Sequence, residues 1–277
     1  MKIIPIFLGL LSFLGAMEPR AEALSIVAAE NFYGGVAAQV AGPSAQVSSL
    51  MSNPNQDPHE FQTDVSTAKA VADADIVIYS GIGYDTWMEK LLASQSKPGR
   101  VVIKVSELIG ARDGDNPHIW YAPKTMPALV RKLAEILHKP EAVAAFSQSM
   151  QPLLATIAEL RTKAEGMKVT ATEPVFGSMA SALGFRMLND DFQVAVMNDT
   201  EPSFQQTAAF EKSLTDGTAK ILFYNSQVSD PSTKRMQEIA KSHGVPVVGV
   251  TETQPADAKS YVDWMLVQLA AVQSALK

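Results

Sequence analysis

Asp57-Pro58-His59 and Asn116-Pro117-His118 repeat one arrangement, a histidine directly behind a proline in a polar run. Proline fixes φ and removes a backbone donor, which helps to hold the imidazole that follows in one direction. Two glutamates stand beside similar punctuation, Glu173 in TATEPVF and Glu252 in VGVTETQP. Imidazole nitrogens and carboxylate oxygens are donors for divalent transition metals. The chain has no cysteine, so any metal site must be built from nitrogen and oxygen, without thiolates. Taken singly, each residue has an ordinary alternative. A histidine in a polar loop is commonly a surface residue. A glutamate after a strand commonly favours a helix dipole, and Pro174 suits a first helical turn. The other two histidines, His138 in AEILHKP and His243 in IAKSHGVP, each end a helical run and suit a capping role at a helix C-terminus.

The elements that must carry these residues come in two similar sets. Short β-branched runs occur at 24–31, 45–51, 74–81 and 100–108, and again at 168–175, 192–199, 219–226 and 245–253. Between them lie runs with helical spacing, such as DTWMEKLLAS, KTMPALVRKLAEILH, PSFQQTAAFEKSL and PSTKRMQEIAKSH. Strands alternating with helices predict parallel sheets covered on both faces. The expected fold is α/β, with two lobes that each hold a mostly parallel four-stranded sheet flanked by helices. The lobes are expected at 24–139 and 167–277. Residues 140–166 have apolar positions at helical spacing and no strand signal, which predicts one long connecting helix with a kink or a missing bond at Pro152. Two shorter helices are the alternative. His59, His118, Glu173 and Glu252 all fall at expected carboxyl ends of strands, where open α/β sheets bind ligands.

Composition limits the function further. A net charge of −6 with no basic block makes nucleic acid an unsuitable partner. Lys2, the apolar run from Ile3 to about Ala16, and Ala21-Glu22-Ala23 have the pattern of a secretory signal peptide, residues 1–23. That implies an exported protein, free in a periplasm, since no cysteine follows the apolar run to carry a lipid. Neither HExxH nor a phosphate-binding loop occurs, so an enzyme is not expected. A metal-dependent hydrolase, with Glu201 as the one extra carboxylate to nominate, is the rival reading. An extracellular metal chaperone or adhesin is another.

At these residues the sequence resembles the periplasmic metal-binding receptors of ABC importers for manganese and zinc, the TroA-like group. NPNQDPHEFQ resembles the family's first ligand loop. DNPHIWYAP resembles the second, with Asn116 where aspartate is usual. EPVFGSMASALGF resembles the segment that opens the second lobe, and TET the place of the last ligand, with Glu252 for the usual aspartate. Asn225 in LFYNSQ stands where many relatives carry glutamate, and the His-rich loop of many zinc receptors is missing from residues 108–116. The resemblance implies His59, His118, Glu173 and Glu252 as ligands of one Mn²⁺ or Zn²⁺ in the interlobe cleft. It also implies a monomer that delivers the ion to a membrane permease. Carboxylate oxygens lean the set towards manganese, although zinc has the higher intrinsic affinity. Affinity is expected to fall at low pH, because imidazole must be neutral to bind metal.

Overall fold

In a computed structural model, which describes residues 23–53, 61–228 and 231–277, the β-branched runs form two sheets. The first contains β1 (Leu24–Glu30), β2 (Ala45–Met51), β3 (Ile76–Tyr79) and β4 (Val101–Lys104). The second contains β5 (Lys168–Ala171), β6 (Arg186–Leu188), β7 (Leu222–Asn225) and β8 (Val247–Val250). Each sheet is parallel throughout, in the orders β2-β1-β3-β4 and β6-β5-β7-β8. The same strand order in both halves puts the carboxyl ends of β1 and β3, and of β5 and β7, at the centre of each sheet. Ile26, lying opposite both Val47 and Ile76, is fully buried, as a central parallel strand requires.

Two expectations change. The run FQVAVMND, read as a strand, lies mostly in the helix Asp190–Met197. Asp190 and Asp191 occupy its first turn, where negative charge is favoured. Phe192 is buried there, against Phe210 with ring centroids 4.5 Å apart. The actual strand at that edge is RML, three residues long. The connecting segment runs as two helices, Glu141–Ser149 and Gln151–Ala164. The backbone stays helical through Met150, which donates to Phe146 and accepts from Leu154, both at 3.0 Å. The interruption falls beside Pro152, which has no N–H to continue the ladder.

Between the sheets lies an aromatic seam that draws on both halves of the chain. Phe32 stacks on Trp120 at 4.7 Å and on Trp264 at 5.7 Å. Tyr121 meets Phe176 edge-on at 5.4 Å, and Phe176 stacks on Phe223 at 4.7 Å. All of these rings are removed from water, and large aromatic surfaces dominate such cores. Among the described residues, no helix is long and apolar enough to cross a membrane. The expected leader, apart from Ala23, lies outside the described residues.

Candidate metal-binding site

The site grows out of strand ends. β8 finishes at Val250, and the next residues, Thr251 and Glu252, are clamped from several directions. The Thr251 carbonyl accepts from the Tyr121 hydroxyl at 2.7 Å, and its Oγ1 accepts from the indole N–H of Trp264 at 2.7 Å. Tyr261 donates to the Trp120 carbonyl, also at 2.7 Å. Glu252 is therefore carried on a segment fixed to the aromatic seam. The residue is 1% exposed.

His118 enters from the first half of the chain and is fully buried. Asn116 fixes it. The Asn116 Oδ1 accepts from the His118 backbone N–H at 3.0 Å and lies 2.8 Å from its Nδ1, while its Nδ2 donates to the Pro174 carbonyl at 2.7 Å. That arrangement puts a proton on Nδ1 and leaves Nε2 as the lone-pair nitrogen, in the way an outer partner orients a metal-binding histidine. It also ties the His118 loop to the residue next to Glu173. The His118 Nε2 stands 3.5 Å from Glu252 Oε1.

Glu173 follows β5 by two residues and is 93% removed from solvent, being 7% exposed. Asn225, the last residue of β7, reaches both carboxylates. Its Nδ2 donates to Glu252 Oε2 at 2.8 Å and, at the longer distance of 3.4 Å, to Glu173 Oε2. The Asn225 Oδ1 accepts the backbone N–H of Gln227 at 3.1 Å, which settles which end of the amide faces the carboxylates. Tyr84 completes the surroundings, with its hydroxyl donating to Glu252 Oε1 at 3.0 Å. Burial, then the Glu252 and Glu30 carboxylates, push the Tyr84 phenol well up, so it remains a donor.

The structure thus brings His118 and Glu252 together and links Glu173 to them through Asn225. His59 lies outside the described residues. Among the described residues, no group of three or more His, Asp and Glu side chains is close enough to hold a metal ion. Glu201, the carboxylate nominated for a hydrolase, lines with Asp199 and Glu173 a hollow of about 360 Å³. A larger cleft of about 830 Å³ opens beside the Asn116 loop and the helix Asp190–Met197. His138 and His243 close helices as expected. His138 does so through its backbone at φ 53°, and His243 through Nδ1, 3.0 Å from the Ile239 carbonyl.

Sequence reasoning passed over three residues in this region. Tyr84 is one. The others are Glu30, at the end of β1, and Asp85. Glu30 is fully buried, and neither of its carboxyl oxygens meets a donor among the described residues. Burial first, and then the Asp85 carboxylate, hold its carboxyl well above the ordinary value. Asp85 accepts the backbone N–H groups of Ser80 and Gly81. Burial still outweighs those bonds and pushes it up to about 6. Two such buried carboxyls do not readily ionise together, and the pair favours holding a proton between them. The one sequence signal was a charged residue ending the otherwise apolar run LSIVAA.

Two parallel four-stranded sheets, an oriented imidazole and buried carboxylates from both halves of the chain make up a two-lobed α/β protein with its polar site at strand ends. The family model of the zinc-uptake complex component A, periplasmic, matches residues 26–275, and the chain belongs to that family. The fold agrees with that of the periplasmic zinc-binding protein TroA from Treponema pallidum, with a TM-score of 0.76 at 18% identity, over 92% of this chain and 99% of that one. A manganese-binding lipoprotein, MntA of Halalkalibacterium halodurans, is 30% identical over 121 residues, 42% of this chain and 39% of its own. The zinc-binding lipoprotein AdcA of Streptococcus pneumoniae is 24% identical over 271 residues, 85% of this chain and 52% of its own. The chain spans about half or less of the length of these two curated relatives. Members of this family are solute-binding components of metal uptake, which agrees with the resemblance carried by the ligand-loop motifs.

Proposed function

We propose that this protein is the periplasmic receptor of an ABC importer, which captures one divalent transition ion, Mn²⁺ or Zn²⁺, and presents it to a membrane permease. One observation carries the reading. His118 Nε2 and Glu252 Oε1, from opposite halves of the chain and both buried, face each other at 3.5 Å where the two sheets point their carboxyl ends. Asn116 holds the Nδ1 side of the ring and turns Nε2 towards the carboxylate, and an imidazole nitrogen facing a carboxylate oxygen is a donor pair for a divalent ion. Glu173 and His59 complete the ligand set. Two carboxylates balance the charge of the ion, and their oxygens favour manganese, whereas the imidazoles suit zinc. The relatives include binders of each. Residues 1–23 act as a cleaved export signal, and the mature chain acts as a free monomer.

The test is metal content by mass spectrometry. Protein 24–277 is stripped, offered equal Mn²⁺ and Zn²⁺, and compared with His118→Ala and Glu252→Ala. One tightly held ion per chain, lost in both variants, is the expected result. Retention unchanged by both substitutions would overturn the receptor reading.

A further inference from the structure

We infer that Gln227 is a positioning residue for the metal site, one that fastens the backbone just past Glu252 and so keeps its carboxylate aimed at the ion. The inference rests on the receptor reading above. β7 and β8 pair from Leu222 opposite Val247 to Asn225 opposite Val250. The ladder ends one step later, where the Ser226 N–H donates to the Val250 carbonyl at 2.8 Å. Thr251, Glu252 and Thr253 lie beyond the end of β8, and segments past a strand end are mobile unless something fastens them. Gln227 does this with its side chain. Its Oε1 accepts the Thr253 backbone N–H at 2.9 Å, and its Nε2 donates to the Thr253 carbonyl at 3.3 Å. One amide thus serves both backbone polar groups of Thr253, as a neighbouring strand would. The Thr253 hydroxyl adds to the contact, accepting from Nε2 at 3.0 Å and donating to Oε1 at 3.3 Å. Gln227 is itself held from behind, its backbone N–H donating to the Asn225 Oδ1 at 3.1 Å.

Each threonine of the TET triplet then has its own anchor. Thr251 is fastened by Tyr121 and Trp264 and Thr253 by Gln227, which leaves Glu252 between two fixed points. Thr253 is buried, at 3% exposure. Without the Gln227 amide its N–H has lost this acceptor, and a buried donor left so is penalised by more than an average hydrogen bond contributes. The segment relieves that penalty by moving, and Glu252, the residue before, moves with it. A binding constellation tolerates only about 0.5 Å of such displacement. Gln227 therefore acts on the ion through the backbone of Thr253 and the carboxylate of Glu252.

Gln227→Leu removes both ends of the amide at similar volume. Thr253→Val removes the hydroxyl contacts, keeps the backbone ones, and serves if the first variant does not fold. Zn²⁺ is the probe. Its affinity is measured by competition titration against a chelator, and its on- and off-rates by stopped flow. Urea unfolding of the metal-free proteins checks that each is folded in the assay. The expected result is that Gln227→Leu releases zinc roughly tenfold faster, with the on-rate within about twofold of wild type. Thr253→Val should move the off-rate in the same direction by roughly threefold. A merely structural role for Gln227 would lower the urea midpoint and leave both rates of the folded protein where they were, and that result overturns the inference while the receptor reading stands. Where Thr253→Val alone folds, an unchanged off-rate overturns it. A loss of affinity through the on-rate alone overturns it as well. A wild-type protein that holds no zinc removes the receptor reading and the inference together.

Discussion

Glu30→Gln is expected to stabilise the metal-free protein at neutral pH, with a gain that grows as pH rises. Glu30 and Asp85 are both buried, and the raised carboxyl of Glu30 keeps a proton that it would lose in the unfolded chain. The folded-state value lies above the unfolded one. This contribution to stability is therefore fully present below about pH 4.5, the ordinary value, and is lost as pH rises through the folded one. Over that window the folded state binds about one proton more than the unfolded state, so unfolding becomes easier by about 1.4 kcal/mol for each pH unit. Asp85, pushed up to about 6 from 3.8, adds to the slope at the acid end. Glutamine has no proton to lose, and its amide can donate to Asp85. The difference in unfolding free energy between variant and wild type should then shift towards the variant as pH rises above about 5, by up to about 1.4 kcal/mol per pH unit until Glu30 ionises in the folded state. The assay is urea unfolding of chelator-treated protein at half-unit pH steps, with equal m-values as the check on two-state behaviour. A difference that stays flat across this window would refute the shared-proton argument. So would a variant that loses ground as pH rises.

Other expectations follow from the same coordinates. Free Mn²⁺ or Zn²⁺ at a hundred times its dissociation constant should stabilise the folded state by about 2.7 kcal/mol. At this chain length that is roughly 5–10 °C in Tm, readable by calorimetry and absent in Glu252→Ala. Tyr84→Phe removes the donor to Glu252 Oε1 and should weaken metal binding by roughly three- to thirtyfold in the competition titration. Ser203→Ala breaks the capping box that opens the helix Phe204–Thr215. It should cost about 0.5–2 kcal/mol in urea unfolding with metal affinity unchanged.

How far the sequence shows all this differs from one element to the next. AQVSSLM alternates over its first four residues and is bounded by turn residues, and its strand begins and ends where the run does. FQVAVMND also alternates, with Phe192, Val194 and Val196 two apart, yet it folds as a helix. Two aspartates at a helix start and the burial of Phe192 on Phe210 outweigh a period of two. RML is too short to show any period. At the site, the Pro-His loops and the strand-end glutamates are local signals and could be placed in advance. The bond from Tyr84 to Glu252 joins residues 168 apart in sequence, and nothing in GIGYDTW announces it. Asn225 is a similar case. Its residue type was conspicuous, but its importance comes from the two carboxylates it reaches, and only the folded chain brings those together.

The aromatic seam beneath Glu252 has a kinetic meaning. Donors mounted on stacked rings lose little freedom when an ion arrives, so affinity is gained without an ordering penalty. The same stiffness slows departure, since variation in affinity among related complexes is carried mostly by the off-rate. On the receptor reading proposed above, release is slow while Trp120, Phe32 and Trp264 stay stacked, and whatever speeds unloading has to act on that stack.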